Sequence, residues 1–182
     1  AVAGCCEAPE SGTAVLAPTD DLQPTALLGS EDDDFFFDFD DDAMGWTGHF
    51  AEYPVGEEEF YKLEWEWTRL PQNLGRDGNY GHYISGDNHS DELFMFIQVG
   101  VELEPETTYQ VNFRFDLVNN VAAGLFGVGG SPGESVFVKF GAMDFEPAVF
   151  AENDYYYVNF DKGNQSQSGV DAEVIGDFAN EL

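Results

Sequence analysis

Basic side chains are what this sequence has least of. Six of its 182 residues are Lys or Arg (Lys62, Arg69, Arg76, Arg114, Lys139 and Lys162), against 36 Asp and Glu, giving a formal charge of −30 at pH 7. Holding nucleic-acid phosphates takes a basic stripe, and these six cations stand singly, so nucleic acid is excluded as a partner. Cysteine is nearly as scarce: Cys5 and Cys6 are the two present, and they are adjacent. A bridge between neighbours strains the intervening peptide, so no internal disulfide framework is expected. No run of 18 apolar residues occurs, which excludes a spanning helix. The histidines His49, His82 and His89 lack metal-ligand spacing, and no thiol lies near them in sequence, so no zinc site is expected.

What is present points to a folded chain. The sequence is 43% hydrophobic and 15% aromatic, well above disordered composition, and is long enough to bury a core as one domain. A charge of −30 opposes compaction unless salt or bound cations screen it. Two readings of that charge stand side by side: a solvated surface suited to salty water, and specific sites for multivalent cations.

Residues 1–33 read differently from residues 34–182. They carry Pro9, Pro18 and Pro24, small residues, acids and no base, the composition of an extended arm or tether. Two apolar patches interrupt it, "TAVLA" with Thr13, Ala14, Val15 and Leu16, and "TALLG" with Leu27 and Leu28. Each is expected to be able to add a strand to a sheet edge. Val2-Ala3-Gly4-Cys5 resembles the lipobox of bacterial lipoproteins, which implies a lipid on Cys5. With no basic or long apolar segment ahead of it, any signal peptide is expected to have been removed already. The other reading of Cys5 and Cys6 is an intermolecular disulfide in an oxidising exterior. Both place the protein outside the cell, touching membrane only through a lipid anchor.

From Phe35 onward the period is that of β-structure. In "FYKLEWEWTRL" Tyr61, Leu63, Trp65 and Trp67 alternate with Lys62, Glu64, Glu66 and Thr68. "TYQVNFRFDLV" repeats this, with Tyr109, Val111, Phe113, Phe115 and Leu117 expected inward. "LFMFIQV" is apolar on both faces, as a central strand would be. Further strands are expected at residues 35–39, 47–53, 80–85, 135–141, 155–161 and 170–178, separated by clusters of Gly, Pro, Asn and Asp. The expected fold is an all-β antiparallel sandwich, a jelly roll, with an extended N-terminal arm.

"FDFDDDAMGW" and "VDAEVIGDFAN" resemble the first and last strands of the galactose-binding-like and carbohydrate-binding-module jelly rolls. "AEYPVGEEEFY", "SGDNHSDELFMFI", "GVGGSPGESV" and "DKGNQSQSG" look like a family of uncharacterised secreted bacterial proteins, many of them lipoproteins, which brings no established activity. The first resemblance implies a structural calcium where first and last strands meet, carried by Asp38, Asp40, Asp171 and Asp177. Separately, a hard cation needs several oxygen ligands, and Asp38, Asp40 and Asp42 have the spacing that opens an EF-hand loop. Ala43 stands where that loop needs Gly and His49 where it needs Glu, so it is not an EF-hand. In a strand, Asp38 and Asp40 would share one face and Phe37 and Phe39 the other.

No catalytic constellation is read. Gly129-Gly130-Ser131-Pro132-Gly133 matches the nucleophile-elbow pattern, but strand-like sequence follows where that turn needs a helix. Exposed aromatics beside Asp and Asn could hold glycan, with Trp46, Tyr156, Asp87 and Asn88 the candidates, though Trp65 and Trp67 fit core filling better. The function expected is therefore an extracellular structural protein: a subunit of a surface filament or tube, linked to copies of itself by N-terminal strand exchange and calcium bridges. The alternative is a lipid-anchored module binding cell-surface polysaccharide.

Overall fold

The computed structural model describes residues 2–7, 12–17, 35–72, 79–89, 92–127 and 130–180. Its strands in chain order are β1 (Val2–Glu7), β2 (Gly12–Ala17), β3 (Thr47–Ala51), β4 (Glu64–Arg69), β5 (Tyr80–Gly86) and β6 (Phe94–Val99). They continue with β7 (Asp116–Val118), β8 (Phe137–Ala142), β9 (Val149–Glu152), β10 (Tyr155–Val158) and β11 (Glu173–Asp177). The fold is all-β. A five-stranded sheet has the order β11-β8-β1-β6-β3, a four-stranded sheet the order β4-β5-β2-β7, and β9 and β10 form a separate hairpin. Every ladder between these strands is antiparallel.

Strand β6 shows why its sequence is apolar throughout. All six of its residues are buried, because its two faces meet different apolar neighbours. Met95 and Ile97 enter one core cluster with Ile84 of β5 and Val138 of β8, and the half-buried Trp65 of β4 and Leu117 of β7 pack against it. Phe94 and Phe96 enter another with Ala51, Met143 and Phe160, against which Val149 and Val158 of the hairpin pack. Alternation along one strand thus serves two packing layers. In β4 the same alternation leaves Glu64, Glu66 and Arg69 exposed and Trp65 and Trp67 half-buried.

The β9–β10 hairpin closes through Asn153 and Asp154, both at positive φ (51° and 61°). Two consecutive left-handed residues match the twist of a two-residue hairpin, and Asn and Asp tolerate that region better than most residues.

Three expectations meet a different structure. Residues 35–39 form no strand; they lead into a turn that still buries Phe39 and exposes Asp38 and Asp40. In the expected strand "TYQVNFRFDLV" only Asp116–Val118 pairs, and Val111 and Phe113 are 45% and 38% exposed. Its partner β2 ends at Ala17, and Pro18, which has no N–H to donate, follows in sequence. Finally, β1 and β2 fall within the segment read as an arm, and both pair inside the chain's own sheets.

Candidate functional site

The first candidate is the pair of slots filled by β1 and β2. Strand β1 lies between β6 and β8, with Cys5 opposite Phe96 and Lys139, and Cys6 opposite Met95 and Val138. Strand β2 lies between β5 and β7: Thr13 faces Ser85, Ala14 faces Ile84, Val15 faces Tyr83 and Val118, and Leu16 faces His82 and Leu117. Leu27 and Leu28 lie outside the described residues. Take β1 away, and β6 and β8 each present a row of unpaired N–H and C=O groups to the gap, the situation in which a sheet accepts any strand of matching register.

The second candidate is the acidic turn and what lies beneath it. Three of the turn's four aspartates spend a carboxylate oxygen on a backbone N–H: Asp38 on Asp40 (3.1 Å), Asp42 on Met44 (2.6 Å) and Asp40 on Tyr80 of β5 (3.1 Å). From below, the Trp67 indole N–H donates to the Phe39 carbonyl (2.7 Å) and His82 Nε2 to that of Ala43 (3.2 Å). The turn is therefore tied to β4 and β5 through backbone and rings, with its carboxylates outside. His82 is 1% exposed, set edge-on to Phe39 at 4.6 Å and stacked on Trp65 at 5.8 Å. Burial holds its imidazole below the ordinary histidine range, partly offset by the bond to Ala43. Among the described residues, Trp46 Nε1, Trp65 Nε1, His82 Nδ1 and Gln98 Oε1 are buried without a hydrogen-bond partner. A buried unpaired polar atom costs about 1–3 kcal/mol.

Two of the three lysines, Lys139 and Lys162, are used internally. Lys139 of β8 is fully buried, and its Nζ donates to the carbonyls of Lys162 (2.8 Å) and Gln167 (3.1 Å), pinning the loop after β10 to the sheet. In that loop Asp161 accepts from the N–H groups of Gly163 (2.9 Å) and Val170 (3.0 Å), which hold its carboxyl below the usual range. Asp171 Oδ2 accepts from the Asp161 N–H at 2.7 Å. Lys162 Nζ lies 3.9 Å from Glu52 Oε1 and 5.1 Å from the centre of the Phe94 ring. Burial raises the Glu52 carboxyl, Lys162 opposing and Glu92 adding to the rise.

Asp177 Oδ1 accepts from the Ala179 N–H at 3.0 Å. Among the described residues no group of three or more His, Cys, Asp or Glu side chains is placed to hold a metal ion. Of the five aspartates read as calcium ligands, Asp38, Asp42 and Asp177 accept from a backbone N–H two residues on, Asp40 from Tyr80 of β5 and Asp171 from Asp161.

Of the glycan candidates, Trp46 packs beside Phe37, Phe39 and His82. Tyr156 lies 4.9 Å from Tyr53 with the rings tilted at 42°, and Tyr53 lies 5.5 Å from Tyr61, whose carbonyl accepts from the Asp87 N–H. The Asp87 carboxylate pairs with Lys62, and Asn88 Oδ1 accepts from the Leu93 N–H at 3.4 Å. Tyr156, Asp87 and Asn88 therefore border one tyrosine cluster, while Trp46 belongs to the group under the acidic turn.

Sequence reading missed the roles of Lys139 and His82. The signal was present for Lys139, a single cation within the apolar "SVFVKF". His82 carried none, since its importance comes from rings on β4 and the acidic turn. No family model matches this chain, no curated protein is similar to it, and no solved structure matches it.

Proposed function

We propose that this chain is an extracellular structural protein, a β-sandwich subunit that joins copies of itself by exchanging its N-terminal strands. The observation that carries the reading is the position of β1: the first strand of the chain fills the middle of the five-stranded sheet. Its slot is defined by main-chain hydrogen bonds in fixed register, so the same bonds form whether β1 comes from the same chain or from a copy. Residues 18–46 separate β2 from β3, a span long enough for the exchange.

The two large sheets serve as the faces of the sandwich, a jelly roll in this reading. The core cluster that draws on both sheets supports that arrangement. Exchange is heterologous and propagates as a filament or tube unless it closes on itself. Faces carrying much of a −30 charge repel as they approach, so calcium ions between neighbouring subunits complete the contact.

The test is microscopy and light scattering of the full chain at rising concentration, with chelator or with millimolar calcium, and with an excess of a peptide spanning residues 1–17. Calcium-dependent filaments that shorten as the peptide caps their ends are expected. Monodisperse particles under every condition, or filaments indifferent to the peptide, would overturn the strand-exchange reading.

A further inference from the structure

Charge is spread so evenly along this chain that, with one exception, no stretch of more than nine residues escapes it. Between Asp116 and Glu134 lie 17 residues, 117–133, without an Asp, Glu, Lys or Arg. The fold brings the middle of that run to the surface. Residues 122–127, Ala-Ala-Gly-Leu-Phe-Gly, are all exposed, Leu125 at 46% and Phe126 at 100%. Among the described residues no other large hydrophobic side chain is as open as Phe126. The base of the loop is held. Val121 is buried in the core cluster shared by the two large sheets, its carbonyl accepts from the Asn180 N–H (2.8 Å), and the Ala123 N–H donates to the Asn180 carbonyl (3.0 Å). Glu134, the acid that ends the run, turns back on the loop, accepting from the Gly124 N–H at 2.6 Å and from the Ser131 hydroxyl. On the far side the Gly127 N–H donates to the Gly130 carbonyl at 2.8 Å. An apolar tip is thus carried on a braced stem.

A side chain open on every side is taken out of water only by something that surrounds it. Six exposed residues fall short of the about 20–30 that each partner gives to a stable protein contact. Pressing a second copy against the tip would also bring two chains of charge −30 together. A lipid bilayer surrounds whatever enters it, needs no matching shape, and admits apolar side chains while rejecting charged ones. We propose that residues 122–127 form a membrane-contact loop, which seats Leu125 and Phe126 among the lipids of an uncharged bilayer surface. The charge on the rest of the chain selects the lipid: an anionic leaflet repels a −30 protein, and a zwitterionic one does not. This contact goes beyond the structural role proposed above and does not depend on assembly.

The experiment is flotation of the full chain with phosphatidylcholine vesicles in the presence of chelator, since filaments sink while vesicle-bound protein rises. The parent chain is expected to float, and to float less at low salt when phosphatidylglycerol is mixed in. Phe126→Ser is expected to weaken binding about tenfold or more. The Phe126 side chain is wholly exposed, so the variant keeps its fold, and circular dichroism checks this. Val170→Ser, at a position 89% exposed in the loop after β10, is the control and is expected to float as the parent does. A parent chain that does not float, undiminished binding by Phe126→Ser, or an equal loss in both variants overturns the proposal. Tighter binding to phosphatidylglycerol overturns it as well, because the contact would then belong to the cations. A change in particle size on Phe126→Ser, with no flotation of the parent, would give the tip to a second copy instead.

Discussion

The indole of Trp65, on the four-stranded sheet, fills the space in which a side chain on Gly48, on the five-stranded sheet, would begin. A Cβ at Gly48 collides with the pyrrole ring carbons, which are rigid and held from behind by stacking on His82. Gly48→Ala is expected to cost about 1–3 kcal/mol, the usual range for overpacking a filled core. Urea denaturation measures it. Adding Trp65→Leu to the alanine variant should recover part of that loss, because the two changes share one volume; strict additivity would show that the residues do not touch.

Lys139→Met keeps the length of the buried side chain and removes its three donors. The carbonyls of Lys162 and Gln167 then lose their partner, and a loss of roughly 1–3 kcal/mol is expected. The loop following β10 should become the first site of proteolytic cutting, which mass mapping of a limited digest would show. A digest pattern unchanged from the parent would mean that the loop is held by its aspartates alone.

Acidification from neutral pH should weaken the fold. Burial is the main force lowering both His82 and His49, with Glu146 pulling His49 the other way. The unfolded chain, whose histidines titrate near 6.5, then binds more protons than the folded one between each lowered value and 6.5. Their contribution is full above about 6.5 and is lost as pH falls below it. Glu52 has the opposite sign: its carboxyl is raised, so its burial penalty grows as pH climbs from about 4.5 through the raised value. Urea midpoints between pH 5 and 7, in high salt to screen the net charge, should fall on the acid side. Replacing Glu52 by Gln should steepen that fall, and a flat profile in both proteins would show that the histidines are open to water.

Asp154 holds a positive φ of 61° in the β9–β10 turn, where a side chain costs energy and glycine does not. Asp154→Gly gives the Asn-Gly pair favoured in such turns and is expected to stabilise the chain by up to about 1 kcal/mol. Thermal melting checks this, and a lower melting temperature would mean that the carboxylate makes a contact worth more than the strain.

How much of this was legible in the sequence differs from element to element. Strands β4 and β6 could be read because their side-chain patterns state their surroundings: one wet face in the first, two dry faces in the second. The segment before β7 shows the limit of that reasoning. It alternates as well as β4 does, yet alternation only offers a face, and residues 108–115 lie beyond the paired stretch of β2. Strand β1 failed in the opposite way. "VAGCCE" is short and small in its side chains, and its place in the sheet comes from β6 and β8, residues far along the chain. The site under the acidic turn was half visible: the aspartates and phenylalanines were plain, but the histidine and indoles they cover are gathered by the fold.

The place of β1 also sets an order of events during synthesis. The strand leaves the ribosome first, but β6 ends at Val99 and β8 at Ala142, so its two neighbours emerge long after it. Until then the middle of the larger sheet has nothing to hold it, and the ladder must be closed across long chain separations, which makes for slow folding. The larger sheet stays open until residue 142 has been made. The register of β1 is therefore fixed only when residues 94–142 are all in place, whatever has formed before them.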